Sequence, residues 1–144
     1  MKLRVFVDSI ALFSAITSST GSARDLVRAA NRRRVELVVS DYVIGEVHRN
    51  LAKSSDGALQ TLGIVLTTSI VSRAEPDADT IERVALVVDP KDAPIIAAAI
   101  AAKAPIVTTY DQRHLLSRAE EIMAAFGVEV LTPRDVLERM ASDG

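Results

Sequence analysis

Cysteine and tryptophan are missing altogether, and only three Phe and two Tyr occur in 144 residues. Without cysteine there is no disulfide, no thiolate zinc site and no cysteine nucleophile, so any bound metal must be held by oxygen or histidine. The same absence agrees with a cytoplasmic location. The shortage of aromatics leaves little from which to build platforms for stacking unpaired bases. A surplus of positive charge is lacking too: 17 Lys and Arg against 19 Asp and Glu give a net charge of -2. That balance does not suit a protein that coats DNA, although a local basic surface stays open. Long apolar runs are absent, since "APIIAAAIAA" falls far short of the roughly 20 residues of a membrane span, and a soluble protein is expected. The start, "MKLRVFVDSIALFSAIT", has the outline of a signal peptide, but Asp8 falls in its apolar core, where secretory signals carry no carboxylate.

What is present is a 49% hydrophobic chain, long enough for one domain with a proper core. Four β-rich runs stand out, "LRVFV" (3–7), "VELVV" (35–39), "PIVTT" (105–109) and "VEVLT" (128–132), each followed by a helical pattern. "SIVSR" (69–73) is a candidate fifth strand. Helices are expected over 10–17, 22–33, 41–53, 57–66, 78–86, 92–103, 117–126 and 133–141, with loops at 17–22 and 54–57. Strands alternating with helices predict a single α/β domain over 1–141, with a parallel sheet of four or five strands, helices on both faces, and a frayed tail at 142–144.

The stretch "DPKDAPIIAAAI" poses the functional question. Asp89 before Pro90 reads as a helix cap, which leaves Asp92 on the apolar stripe with Ile95, Ile96 and Ala99. An inward-facing carboxylate needs a proton, a hydrogen bond or a cation. In an open parallel sheet the carboxyl ends of all strands share one edge, where ligands sit. Asp8 follows the first strand, Asp111 follows "IVTT", and the helix that Asp92 opens starts at that edge too. Glu46, beside the buried face of the helix after the second strand, is the fourth candidate. Each acid alone has an ordinary explanation as a cap, a dipole partner or a surface residue. Together, carboxylates about 4 Å apart repel by about 4 kcal/mol per pair at an effective dielectric of 20, so they take up protons or hold a cation. An all-oxygen set favours Mg²⁺ or Mn²⁺ and suits phosphodiester hydrolysis, which needs no protein nucleophile.

These residues resemble the PIN-domain ribonucleases, in particular the VapC-type toxins of toxin-antitoxin pairs. "VFVDSIALFSAI" is similar to the family's first motif, "VIGEVHRNL" to the second, "DPKDAPIIAAAI" to the third and "IVTTYDQRHLL", with Thr109 and Asp111 in a T-x-D core, to the fourth. The resemblance implies a Rossmann-like PIN domain, catalytic and metal-binding roles for Asp8, Glu46, Asp92 and Asp111, Mg²⁺ or Mn²⁺ as cofactor, RNA as substrate, a cognate antitoxin and a homodimer. Ser9, Thr109, Arg49, Arg113 and His114 are the residues expected to meet the substrate. Two positions depart from the family pattern: Ile10, where Asn is frequent, and Tyr110, where a small residue is common. Arg24, Arg28 and Arg32, four residues apart, read either as a phosphate-holding stripe or as a solvated helix face. Two rival readings are a receiver domain, which would want paired acids after the first strand and a lysine after the last, and a catalytically inactive PIN-like module that binds RNA or protein.

Overall fold

Strands form where Val and Ile run together. β1 (Arg4–Val7), β2 (Glu36–Val39), β4 (Ile106–Thr108) and β5 (Glu129–Leu131) fall within the four expected runs, and β3 (Ile70–Arg73) is the fifth. The computed structural model describes residues 2–54 and 57–143. Met1, Ser55 and Asp56 of the expected 54–57 loop, and Gly144 of the expected tail lie outside the described residues.

All pairings are parallel, in the order β3-β2-β1-β4-β5. β1 is central, with Val5 and Phe6 wholly buried, because both faces of a parallel sheet are covered. Among the described residues eight α-helices supply that cover: α1 (Ser9–Thr17), α2 (Ser22–Asn31), α3 (Asp41–Leu51), α4 (Ala58–Thr68), α5 (Ala78–Val84), α6 (Ala93–Ala101), α7 (Ala119–Phe126) and α8 (Pro133–Asp143). Right-handed crossovers place α1 to α4 on one face and α5 to α7 on the other. The packing agrees: α1 touches α2, α3 and α4, α5 touches α6, and α8 returns to lie on α2.

Composition explains the individual helices. α6 has no polar side because most of it is covered: Ala93, Ile96, Ala97, Ala98 and Ala99 are all wholly buried, only Ala101 at its end is exposed, and the small side chains let the helix sit close to β1 and β4. α2 ends earlier than its pattern suggests because Arg33 takes a left-handed conformation (φ 61°), and the Arg33 and Arg34 amides turn back to Ala30 and Ala29. The arginine stripe is partly structural. Arg24 donates to the carbonyls of Ala15 and Ile16, which satisfies the open C-terminal end of α1, and Arg28 donates to that of Ser19 in the turn beyond it.

The chain winds outward from β1 to β3 on one side, then crosses back to β4 and β5 on the other, so the winding reverses between β1 and β4. Val7 pairs with Thr108 there, and the Asp8 amide donates to the Thr108 carbonyl at 3.1 Å. Parallel pairing at this switch therefore sets the first and fourth motifs side by side.

Candidate active site

Asp8 leaves β1 at the carboxyl edge and is buried, at 5% exposure. Its Oδ2 accepts from the Thr109 hydroxyl, and its Oδ1 accepts from Ser9 Oγ at 3.2 Å. Thr109, itself wholly buried, also accepts from the Asp111 amide at 2.9 Å. One hydroxyl thus holds two acids whose positions are about a hundred residues apart in sequence. Asp111 Oδ1 accepts from the His114 amide at 2.9 Å, and His114 Nδ1 stands 3.4 Å from Asp111 Oδ2. On the other side, Ser9 Oγ lies 2.8 Å from Glu46 Oε1, and its single hydrogen serves Glu46 or Asp8 at one time.

Asp89 was expected to cap the helix, but α6 begins at Ala93 and Asp92 holds its N-cap position. Asp89 Oδ1 accepts from the Lys91 amide at 2.9 Å, and its carbonyl accepts from the amides of Asp92 and Ala93, so it caps the turn that leads into α6. Asp92, the last residue before that helix, makes no capping bond with its side chain, and its Oδ2 is buried without a hydrogen-bond partner. Asp8, Glu46, Asp92 and Asp111 all line one cavity of about 320 Å³, together with Ser9 and His114.

Burial raises the pKa of Asp8 above the ordinary aspartate value, against the hydrogen bonds from Thr109 and Ser9, and the Asp111 charge adds to the rise. Burial raises Asp92 as well, with His114 opposing and Asp111 adding. Two carboxylates pushed toward the neutral form beside a third form the electrostatic signature of a site that takes protons or a cation. Among the described residues, no group of three acids or histidines stands arranged to hold a metal ion as it is.

A family model for the PIN domain matches residues 4–113. The chain belongs to the PIN domain family. Its fold recurs in solved structures of low identity. VapBC2 from Rickettsia felis, bound to a DNA fragment from its promoter, matches at 14% identity and a TM-score of 0.65, over 89% of this chain and 97% of that one. PAE2754 from Pyrobaculum aerophilum matches at 21% identity and 0.66, over 99% and 98%. FitAcB from Neisseria gonorrhoeae matches at 14% and 0.58, over 90% and 97%. No curated protein matches the chain by sequence.

In this PIN domain the expected substrate contacts separate. Ser9 and His114 line the acidic cavity, Thr109 lies buried behind it, and Arg49 and Arg113 are not in its wall. Arg49 instead folds along α3, with Nη1 3.4 Å from the place a Cβ on Gly45 would take. Tyr42 and Asn50 line the cavity without having been singled out from sequence. The signal was available, since they stand one turn before and one turn after Glu46 on the same side of α3. Ile10 also lines the cavity, with Phe13 and Ile95, so the position where the family often has an amide supplies an apolar wall here. Tyr110 is 38% exposed.

The Thr109 hydroxyl offers a direct test of this PIN domain's wiring. Thr109→Val leaves Asp8 Oδ2 and the Asp111 amide without that partner and should cost about 1–3 kcal/mol in urea unfolding. If the acids form a cation site, affinity for the ion should fall by about 10- to 100-fold, as for other losses of a group that orients a ligand. Thr109→Ser should restore most of both. A Val variant as stable as wild type would show that the hydroxyl holds nothing.

Proposed function

We propose that this PIN domain is a Mg²⁺- or Mn²⁺-dependent endoribonuclease that acts as the toxin of a toxin-antitoxin pair. The observation that carries the reading is the meeting of Asp8, Glu46, Asp92 and Asp111 in one cavity at the sheet's switch edge, with Asp92 Oδ2 buried and unpartnered. A buried carboxylate oxygen without a donor is costly, and an all-oxygen set is what Mg²⁺ and Mn²⁺ prefer. The donor chemistry therefore fits the cation, with Asp8, Asp92, Asp111 and Glu46 as the residues that would hold it. When bound, such an ion supplies water activation and charge stabilisation at a phosphate.

The remaining roles belong to the chain itself. Thr109 fixes Asp8 and Asp111 relative to each other, and the His114 amide fixes the Asp111 carboxylate. Ser9 couples Asp8 to Glu46. Lys91, on the cavity wall, places a positive charge where a phosphate would approach four acids. The antitoxin partner and a homodimer are proposed from the toxin resemblance, with fold-level likeness to VapBC2 and FitAcB in support. A cytoplasmic location accords with a cysteine-free chain in which no helix of the described residues is long and apolar enough to cross a membrane.

Incubation of the purified protein with a mixed RNA pool tests this. Cleavage is expected with Mn²⁺ or Mg²⁺ and none in EDTA. The ion should also raise the melting temperature, by an amount that corresponds to about 2.7 kcal/mol at a hundredfold excess over its dissociation constant. A cation-dependent rise without cleavage would favour the inactive PIN-like binding module. No response to either ion would remove the metal site.

A further inference from the structure

We propose that the shallow cavity next to the acidic one is a phosphate subsite for the RNA strand as it continues past the cut, with Arg113 as its principal cation. The inference rests on the ribonuclease reading above. The neighbouring cavity, of about 360 Å³, is lined by Leu86, Asp89, Arg113, His114 and Arg118 among others. His114 lines both cavities, and the 89–92 turn contributes Asp89 to one and Lys91 and Asp92 to the other. The two spaces therefore share a ridge, and a strand leaving the acids over that ridge enters the second one.

Electrostatics gives the reason for such a subsite. Four acids repel a polyanion, so an RNA strand that must reach them needs positive charge close by. Arg113 is exposed, and among the described residues its guanidinium has neither a hydrogen bond nor an ion pair. Arg118 is paired with Glu121 at 2.7 Å, and Asp89 offsets one charge, which leaves Arg113 as the strongest contact. Leu86 is 87% exposed at the same rim. It offers an apolar surface to a base or sugar beside a phosphate-binding guanidinium, in a chain poor in aromatics.

Binding of a labelled single-stranded RNA in EDTA, where no cleavage competes, tests the subsite by its salt dependence. For a single strand, each phosphate deprived of its cationic partner reduces the slope of log K against log salt by about 0.7. Arg113→Ala should reduce the slope by about that amount, Arg118→Ala by less, and Arg113→Lys hardly at all. Lys2→Ala, at an exposed position ahead of β1 on the opposite sheet edge, is the control and should leave the slope alone. Equal slopes for Arg113→Ala and Lys2→Ala would overturn the subsite. If the wild type cleaves RNA while Arg113→Ala leaves the slope intact, the subsite alone fails. If the wild type neither binds nor cleaves RNA, the ribonuclease reading fails with it.

Discussion

Asp8→Asn is expected to abolish RNA cleavage and, in the same molecule, to raise the melting temperature of the metal-free protein. The first effect follows from the role proposed for Asp8: if it helps to hold the cation, its loss removes charge stabilisation worth several kcal/mol, or about a thousandfold or more in rate. The second follows from burial. Asp8 is 5% exposed and its pKa is raised chiefly by desolvation, so its ionised form costs the folded state stability at neutral pH. The isosteric amide carries no charge, keeps an oxygen for the Thr109 hydroxyl and turns its NH₂ toward Ser9, whose hydroxyl can accept. A gain of about 0.5–2 kcal/mol is expected, typical of relieving a functional site.

The sign of the pH dependence follows. With the folded pKa above the unfolded value, the native state binds more protons between the two, so this group's contribution falls as pH rises through that window. The penalty is fully present above the raised pKa and disappears below 3.8. Glu129 acts in the opposite sense. Its pKa is lowered by the Arg139 hydrogen bonds at 2.9 and 2.6 Å, so its stabilising part is present above 4.5 and is lost in acid. The melting-temperature difference between Asp8→Asn and wild type isolates Asp8, since Glu129 is common to both. That difference should be largest at neutral pH, shrink toward pH 4, and also shrink when Mn²⁺ is added to wild type. A variant less stable than wild type at pH 7 would mean that Asp8 is not an electrostatic burden.

Phe6→Ala should produce the largest loss of stability, about 3–5 kcal/mol. Phe6 is wholly buried in the central strand, between Val38 of β2 and Val107 of β4. Its ring has neighbours on both sides, and a close-packed sheet cannot collapse into the space it leaves. Against a typical total of about 5–15 kcal/mol, the urea midpoint should fall by about 2 M. Met123→Ala, at a half-exposed position on α7, should stay within about 0.5 kcal/mol. Similar midpoints for the two variants would place the core elsewhere than between β1 and its helices.

Much of the architecture was legible because local pattern and tertiary role agree here. Val and Ile runs mark strands that are buried on both faces, and α6 could be recognised as buried because Ala and Ile leave it no polar side. Asp92 stood out for the same reason, as a carboxylate on an apolar stripe, and its orphan Oδ2 is the structural counterpart of that anomaly. The arginines were less legible. Arg24, Arg28 and Arg32 have one spacing, yet Arg24 closes the end of α1 and Arg28 ties down the turn after it, because the turn at 18–21 folds α2 back on α1. Arg49 and Asn50 are neighbours in sequence, but the helix turns about 100° between them, and only Asn50 faces the cavity.

The sequence by itself determined which segments become strands and helices, and which acids stand at strand and helix ends, because hydrophobic period and capping chemistry are local. The strand order, with β1 beside β4, was decided only in the tertiary structure. Sheet pairing is a choice among distant segments, made by burying all of their apolar faces at once, and that choice brings the Thr109 hydroxyl to Asp8 and four scattered acids to one cavity.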